Sequence, residues 1–427
     1  MRGTRSLLLG AALTAVAVVP TAGWARETPT ASPRPVPATL DVAAGREAAD
    51  RCLAWLVAHQ RDNGAWGHAI PGETQEAFFA VETHYTWQIA ASALANLALL
   101  YAPATPERDA ALERGLHWLA TNRMPRRGNE WDTDYMWSAL YGVVATVTAY
   151  DSPRIAANAK LREALAARGR AYVAVLVANQ APLGGWAYYD DPPWTSRNKW
   201  ATSFCTSLVL PYLARAQALG WLEDGGVVPR AVHYVEKCRL PNGAYQYSLD
   251  VVPWITGGES INDVKGSLGR IQVSNWALNS LGRKSVGLAE LRTGLTAFFQ
   301  HHRFLDTARL RPIPHEGHYY NAGYFYNFGH YYAAKAISRL PADEQEAWHA
   351  RLRPHVVKTL RADGSTSDFL GADYMLVAST AYCAMALELG LPHEAAESYP
   401  SPEGATDEAS EAPPVEDEAA PTDDATR

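Results

Sequence analysis

The sequence predicts an all-α protein, a ring of six helical hairpins, and three observations predict it. Turn glycines recur at Gly64, Gly128, Gly184, Gly243 and Gly364, with steps of 64, 56, 59 and 121 residues, the last being two periods. Each period pairs an amphipathic helix with one that is apolar almost all round, as in "ERDAALERGLHWLATN" (107–122) and "IAASALANLALLY" (89–101). A helix with one wet face belongs outside and a helix with none belongs inside, so their alternation gives an outer and an inner ring. Third, connections from outer to inner helices are long (68–83, 183–198, 244–268, 303–318) and the returns are short (102–106, 284–287). In a closed ring the long ones share one face, and loops of that length are commonly functional.

In chain order, residues 1–25 read as a cleavable export signal: Arg2 and Arg5, the apolar run "LLLGAALTAVAVV", and a small-residue exit at Gly23-Trp24-Ala25. That run is too short for a membrane span, so no transmembrane anchor is expected. A Pro-rich linker (26–41) follows, then the ring (42–392) and an acidic tail (393–427), and both the linker and the tail have compositions that resist ordering. The tail (-10) and the signal (+2) together exceed the net charge of -7, leaving about +1 on residues 26–392. Such a body has no basic surplus for nucleic acid. Cys52, Cys205, Cys238 and Cys383 all fall in predicted helices, where facing positions are commonly too far apart to bridge, and are read as buried thiols.

The turns carry a motif. "WLVAHQRDNGAWG" (55–67) sets Gln60 six residues before Trp66 across Gly64, and "VLVANQAPLGGWAYYD" repeats this with Gln180, Gly184 and Trp186. In "YVEKCRLPNGAYQYS" the places are taken by Arg239, Gly243 and Tyr245. The fifth unit, "TAFFQHHRFLDTARL", ends a helix near residue 304 without the glycine turn. A left-handed glycine stops a helix and frees carbonyls, and the Gln amide supplies donors there while the Trp folds back. This reads as a structural clamp.

These Gln…Gly-x-Trp units resemble the QW repeats of squalene-hopene and oxidosqualene cyclases. With six helix pairs, the chain looks like the (α/α)6 toroid shared by terpene cyclases, protein prenyltransferase β-subunits and complement-like thioester domains. The resemblance implies an isoprenoid-like or other apolar small-molecule ligand in an aromatic cavity, with no cofactor. Class II terpene cyclases carry Asp-x-Asp-Asp, whose middle acid protonates an alkene or epoxide. The matching stretch "NEWDTDYMWSAL" has Asp132 and Asp134, with Tyr135 in place of the last acid. By that resemblance Asp134 is the acid and Asp132 assists it. As a reading of residues alone, carboxylates at a helix start are also ordinary caps.

Other chemistries are disfavoured or left as rivals. "RNKWATSFCTS" has Lys199 where the prenyltransferase zinc site needs an acid, with Cys205 a turn later, and no thioester motif is present. "HEGH" offers His315, Glu316 and His318, but in an irregular loop rather than at metal-ligand spacing on a helix. Aromatics crowd the long-loop face, among them Trp87, Trp137, Trp186, Tyr188, Trp200 and Tyr324, and are expected to line a pocket. Arg197, Lys199, Lys265 and Arg270 approach the same rim and favour an anionic group there. A carbohydrate-active toroid and a non-catalytic binding or scaffold protein are the rival readings.

Overall fold

The computed structural model describes residues 38–68, 80–126, 134–188, 200–249, 259–369 and 373–392. Among them it shows fourteen α-helices, two short 3-10 turns and no strand beyond an isolated bridge between Arg239 and Tyr245. Six helices form the outer layer: α1 (Val42–Ala58), α3 (Pro106–Thr121), α6 (Ala159–Ala178), α8 (Val227–Cys238), α10 (Leu288–Gln300) and α13 (Ala342–Val357). Six form the inner layer: α2 (Val81–Tyr101), α4 (Met136–Asp151), α7 (Ser203–Ala218), α9 (Leu268–Ser280), α12 (Phe325–Ile337) and α14 (Asp373–Glu388). Short helices α5 (Pro153–Ala156) and α11 (Arg303–Ala308) lie in connections.

The inner helices are buried on nearly every side, as a helix enclosed by two layers of neighbours must be. They touch in the order α2, α4, α7, α9, α12, α14, and α14 returns to α2. The ring is therefore closed. Each outer helix packs chiefly against the inner helix that precedes it in the chain, and α1 packs against α14. The packed hairpin is thus one helix out of phase with the sequence repeat, because the short inner-to-outer loops make the tight antiparallel pairs.

Polar caps define where helices start. Asp41 accepts from the Ala44 amide at 2.9 Å, Thr105 from Arg108 at 3.2 Å ahead of Pro106, and Asn158 from Leu161 at 3.1 Å. The turn glycines end outer helices. Gly64 has φ 90° and Gly184 φ 104°, and a Cβ on either would meet a carbonyl oxygen of the next outer helix at 2.4 Å. Gly364 makes the same approach to Arg51 of α1, so the sixth turn docks on the first helix.

The clamp is a joint between repeats. Gln60 Nε2 donates to Gly64 O at 3.0 Å and to Ala111 O of α3 at 2.8 Å, while Arg114 donates to its Oε1 at 2.6 Å. Gln180 does the same with Gly184, Val227 and Arg230. The helix carbonyl falls to the indole instead: Trp66 Nε1 donates to Leu56 O and Trp186 Nε1 to Leu176 O, both at 2.7 Å. Sequence reading missed the other half of the joint. The backbone N–H at the Trp place donates to a hydroxyl of the following inner segment, Ser92, Thr206, Ser267 or Thr380, and that hydroxyl donates back to the same residue's carbonyl.

All four cysteines are free and buried in helices. Cys52 of α1 and Cys383 of α14 bring their sulfurs to 3.5 Å at the seam of the ring. No described helix is long and apolar enough to cross a membrane.

Candidate functional site

The inner helices alternate with outer ones along the chain and so run in the same sense, which puts their N-termini at one end of the bore, the rim. Asp132, Arg197 and Lys199 lie outside the described residues. Asp134 stands just ahead of α4, and its side chain does not cap that helix: the N-cap position is Tyr135, which makes no side-chain cap bond. Instead Asp134 Oδ2 accepts from Trp87 Nε1 of α2 at 3.1 Å. Desolvation pushes its pKa up to about 7, with the indole bond opposing only in part. A carboxyl in that range is poised to exchange a proton near neutrality.

Aromatic rings extend from this acid around the rim. Trp87 stacks on Tyr374 with centroids 4.4 Å apart, and Trp137 stacks between Tyr141 and Tyr188 at 5.6 and 5.4 Å. Tyr188 shares a hydroxyl bond with Tyr247 at 2.8 Å and meets Trp200 edge to face. Deeper in the bore, Phe204 of α7 meets Phe325 and Phe328 of α12, and Tyr141 of α4 bonds Tyr382 of α14. These contacts cross between helices that are not neighbours in the ring. The rings therefore fill the bore below the rim. Trp186 is not among them: it is fully buried in its clamp, between α6 and α7, and belongs to the joint rather than to the lining.

The basic groups divide. Lys265 donates to the Tyr319 hydroxyl at 3.0 Å and lies over that ring. Arg270, on the first turn of α9, is 2% exposed; it donates to the carbonyls of Tyr245 and Ile261 and covers the Tyr247 ring at 5.4 Å. Burial lowers its pKa to about 10, and no described carboxylate is paired with it. It holds the rim together as much as it presents charge.

The "HEGH" residues point apart. His315 Nδ1 lies 2.7 Å from Tyr320 O and its Nε2 2.7 Å from the Tyr324 hydroxyl, whereas His318 faces Glu259 at 2.9 Å and Glu316 lies 3.8 Å from Arg311. They do not converge on one point. The segment is nonetheless strained: Leu310, His315, Tyr319 and Tyr320 all have φ between 56° and 64°, a region that costs non-glycine residues energy and is common at functional loops.

At the opposite end of the bore, Lys335 in the last turn of α12 is 6% exposed. Its ammonium donates to the Tyr101 hydroxyl at 2.8 Å and lies within 6 Å of the rings of Tyr101, Tyr212, Trp276 and Tyr331, from four different inner helices. This floor was not read from the sequence, where one Lys among tyrosines carries no signal.

No family model and no curated protein matches the chain. Among solved structures, the chain is similar to the GH76A alpha-1,6-mannanase from Salegentibacter at 12% identity and TM-score 0.50, over 81% of this chain and 98% of that one. A protein from Listeria innocua matches at 11% identity and TM-score 0.50, over 81% and 96%. A type II terpene cyclase from Scytonema matches at 11% identity and TM-score 0.48, over 82% and 100%. At these identities the two likenesses at TM-score 0.50 show the α/α toroid alone, since one fold hosts many chemistries.

Proposed function

We propose that this toroid binds an isoprenoid-like or other apolar small molecule at its aromatic rim and that Asp134 is the acid that protonates it, with Asp132 as the assisting carboxylate. One observation carries the reading: a carboxyl raised to about 7, bonded by the Trp87 indole and ringed by stacked aromatics. In the proposed step the Asp134 O–H bond breaks as the proton adds to one alkene carbon, using the π pair, and the adjacent carbon becomes cationic. The unstacked faces of Trp87 and Tyr188 supply the negative potential such a cation needs. A carbon next to the cationic centre, reached directly or after attack by a second alkene, then loses a proton to water, its C–H pair forming the new alkene, and water returns a proton to the Asp134 carboxylate, so the net change is isomerisation or cyclisation. The leading 25 residues direct this activity outside the cytoplasm.

The carbohydrate reading needs a second carboxylate facing the first. The other described acid with a raised pKa, Asp368 in the connection between α13 and α14, accepts from Asn327 N at 2.7 Å and Asn327 Nδ2 at 2.8 Å, with Arg309 at 3.4 Å. It is engaged in holding α12. Incubating the full chain with linear polyprenyl compounds, and separately with mannan oligosaccharides, tests the proposal by product analysis. Turnover of a polyprenyl compound that falls 10²- to 10⁴-fold in Asp134→Asn supports it, on the scale usual for a lost general acid. Oligosaccharide cleavage, or polyprenyl turnover indifferent to Asp134→Asn, overturns it.

A further inference from the structure

The fifth repeat breaks the clamp pattern, and its replacement has the chemistry of a metal site. Gln60 and Gln180 each stand two residues beyond the last residue of their outer helix; in the fifth repeat that place, after Gln300, belongs to His302. Where Gln60 reaches Gly64, four residues on, His302 Nδ1 faces Asp306 Oδ2, also four on, at 3.0 Å. The glycine turn is gone, and α11 takes its course.

Counting protons shows what the arrangement lacks. His302 Nε2 lies 2.9 Å from His330 Nε2, and His330 Nδ1 lies 2.7 Å from Tyr326 O. The line from the Tyr326 carbonyl through two imidazoles to the Asp306 carboxylate thus has three contacts. Two neutral imidazoles bring only two protons. If His330 donates to the carbonyl and His302 donates to His330, the lone pair of His302 Nδ1 points at a carboxylate oxygen, and a cation must stand between them. The other carboxylate oxygen is already occupied, accepting from Lys358 Nζ at 2.6 Å and the Tyr326 hydroxyl at 3.2 Å. His355 of α13 completes the cluster: its ring centroid is 3.7 Å from that of His302, and the ligand atoms of His302, Asp306 and His355 all lie within 4.8 Å of one another.

We propose that His302, Asp306 and His355 bind one divalent first-row metal ion, of which Zn²⁺ best suits two imidazoles and a carboxylate, with water completing the shell on the exposed Asp306 side. His330 is a positioning residue: it takes the His302 Nε2 proton and so turns the Nδ1 lone pair to the metal. The ion ties the end of α10 and α11 to α13, as the Gln60 amide ties α1 to α3. This site is separate from Asp134 and does not depend on the reading of the rim.

The test uses the full chain freed of metal by a chelator and titrated with Zn²⁺ alone by calorimetry, with Co²⁺ absorption as a second readout. The expected result is one ion per chain and a rise in melting temperature on binding. His302→Gln restores the residue of the other clamps, so the joint should fold, yet it should weaken Zn²⁺ roughly 100-fold or more. His330→Ala should weaken it about 10- to 100-fold without changing stoichiometry, the usual cost of losing an outer-shell partner. His318→Ala, at the rim, should leave it unchanged. Absence of saturable binding, or binding that survives both His302→Gln and Asp306→Asn, overturns the proposal and assigns the missing cation to a proton.

Discussion

The two ends of the bore each bury an ionisable side chain among aromatic rings, and they treat it differently. At the floor, Lys335 sits in the last turn of α12, where the helix dipole favours a cation, and it has the Tyr101 hydroxyl and four ring faces around it. At the rim, Asp134 stands ahead of the first turn of α4, where the dipole favours an anion, but a single indole N–H is the hydrogen bond recorded to its carboxylate. Desolvation therefore outweighs the dipole and its pKa rises to about 7. The dipole favours both charges, but the floor surrounds its ammonium with a hydroxyl and four ring faces while the rim gives its carboxylate one indole N–H.

The largest expected effect lies outside both ends and sets the scale for them. Trp186→Ala removes a fully buried indole and its bond to Leu176 O, and should cost about 3 to 5 kcal/mol in denaturant unfolding while leaving ligand preference intact. A change in preference without a loss of stability would move Trp186 from the joint to the lining, and the rim would have to be redrawn.

Next is the pH dependence of the rim. The Asp134 pKa is raised from 3.8 to about 7, so the folded chain binds that proton more tightly than the unfolded chain. The resulting stability is complete below about pH 4 and is lost as pH rises to about 7. Asp134→Asn should therefore match the parent in melting temperature at pH 4 and exceed it at pH 8. Asp368, raised to about 6, contributes in the same direction and remains in the variant, so some slope persists. A variant that is less stable at pH 8 would mean that the carboxylate is a stabilised anion and that the two ends are alike.

The ring itself was legible because its signal is periodic. Glycine turns about sixty residues apart and alternating wet and dry helices follow from the same backbone rule in each repeat. The phase of the hairpin was written in the same loop lengths, since short inner-to-outer returns make the tight pairs, but the turn motif drew the repeat boundary at the other end of each outer helix. The hydroxyl half of the clamp was hidden: Ser92, Thr206, Ser267 and Thr380 follow their partners by 26, 20, 22 and 14 residues, so no fixed spacing marks them. Asp134 was visible by its motif, but its choice of Trp87 over its own helix is a tertiary fact. His302 was visible only as a gap, the repeat where the glycine failed.

At the floor, Lys335→Met keeps the stem and removes the ammonium. The Tyr101 hydroxyl loses its donor and four rings lose a cation, so the expected cost is about 1 to 3 kcal/mol, read from chemical denaturation at neutral pH. Ligand retention at the rim should not change. A variant more stable than the parent would show that burying the charge costs more than its partners return, and that the floor, like the rim, carries an unsettled charge.

The smallest effect discriminates most finely between a rim that binds and a rim that merely packs. His315 Nδ1 faces the Tyr320 carbonyl and must donate to it, which leaves Nε2 to accept the Tyr324 hydroxyl proton at 2.7 Å. Tyr324→Phe removes that hydrogen bond from a partly buried imidazole, at a cost of about 1 kcal/mol. His315 and Tyr320 both carry positive φ, and this bond acts with those that Lys265, Glu259 and Asn321 make to hold a strained loop. If the strain serves binding, loosening the loop should weaken ligand retention by more than the same free energy predicts, about fivefold, because His315 shifts together with the Tyr247, Tyr324 and Phe325 rings it meets. A retention loss smaller than the stability loss would make the loop a lid of packing only, and the contrast between the ends would then rest on Asp134 alone.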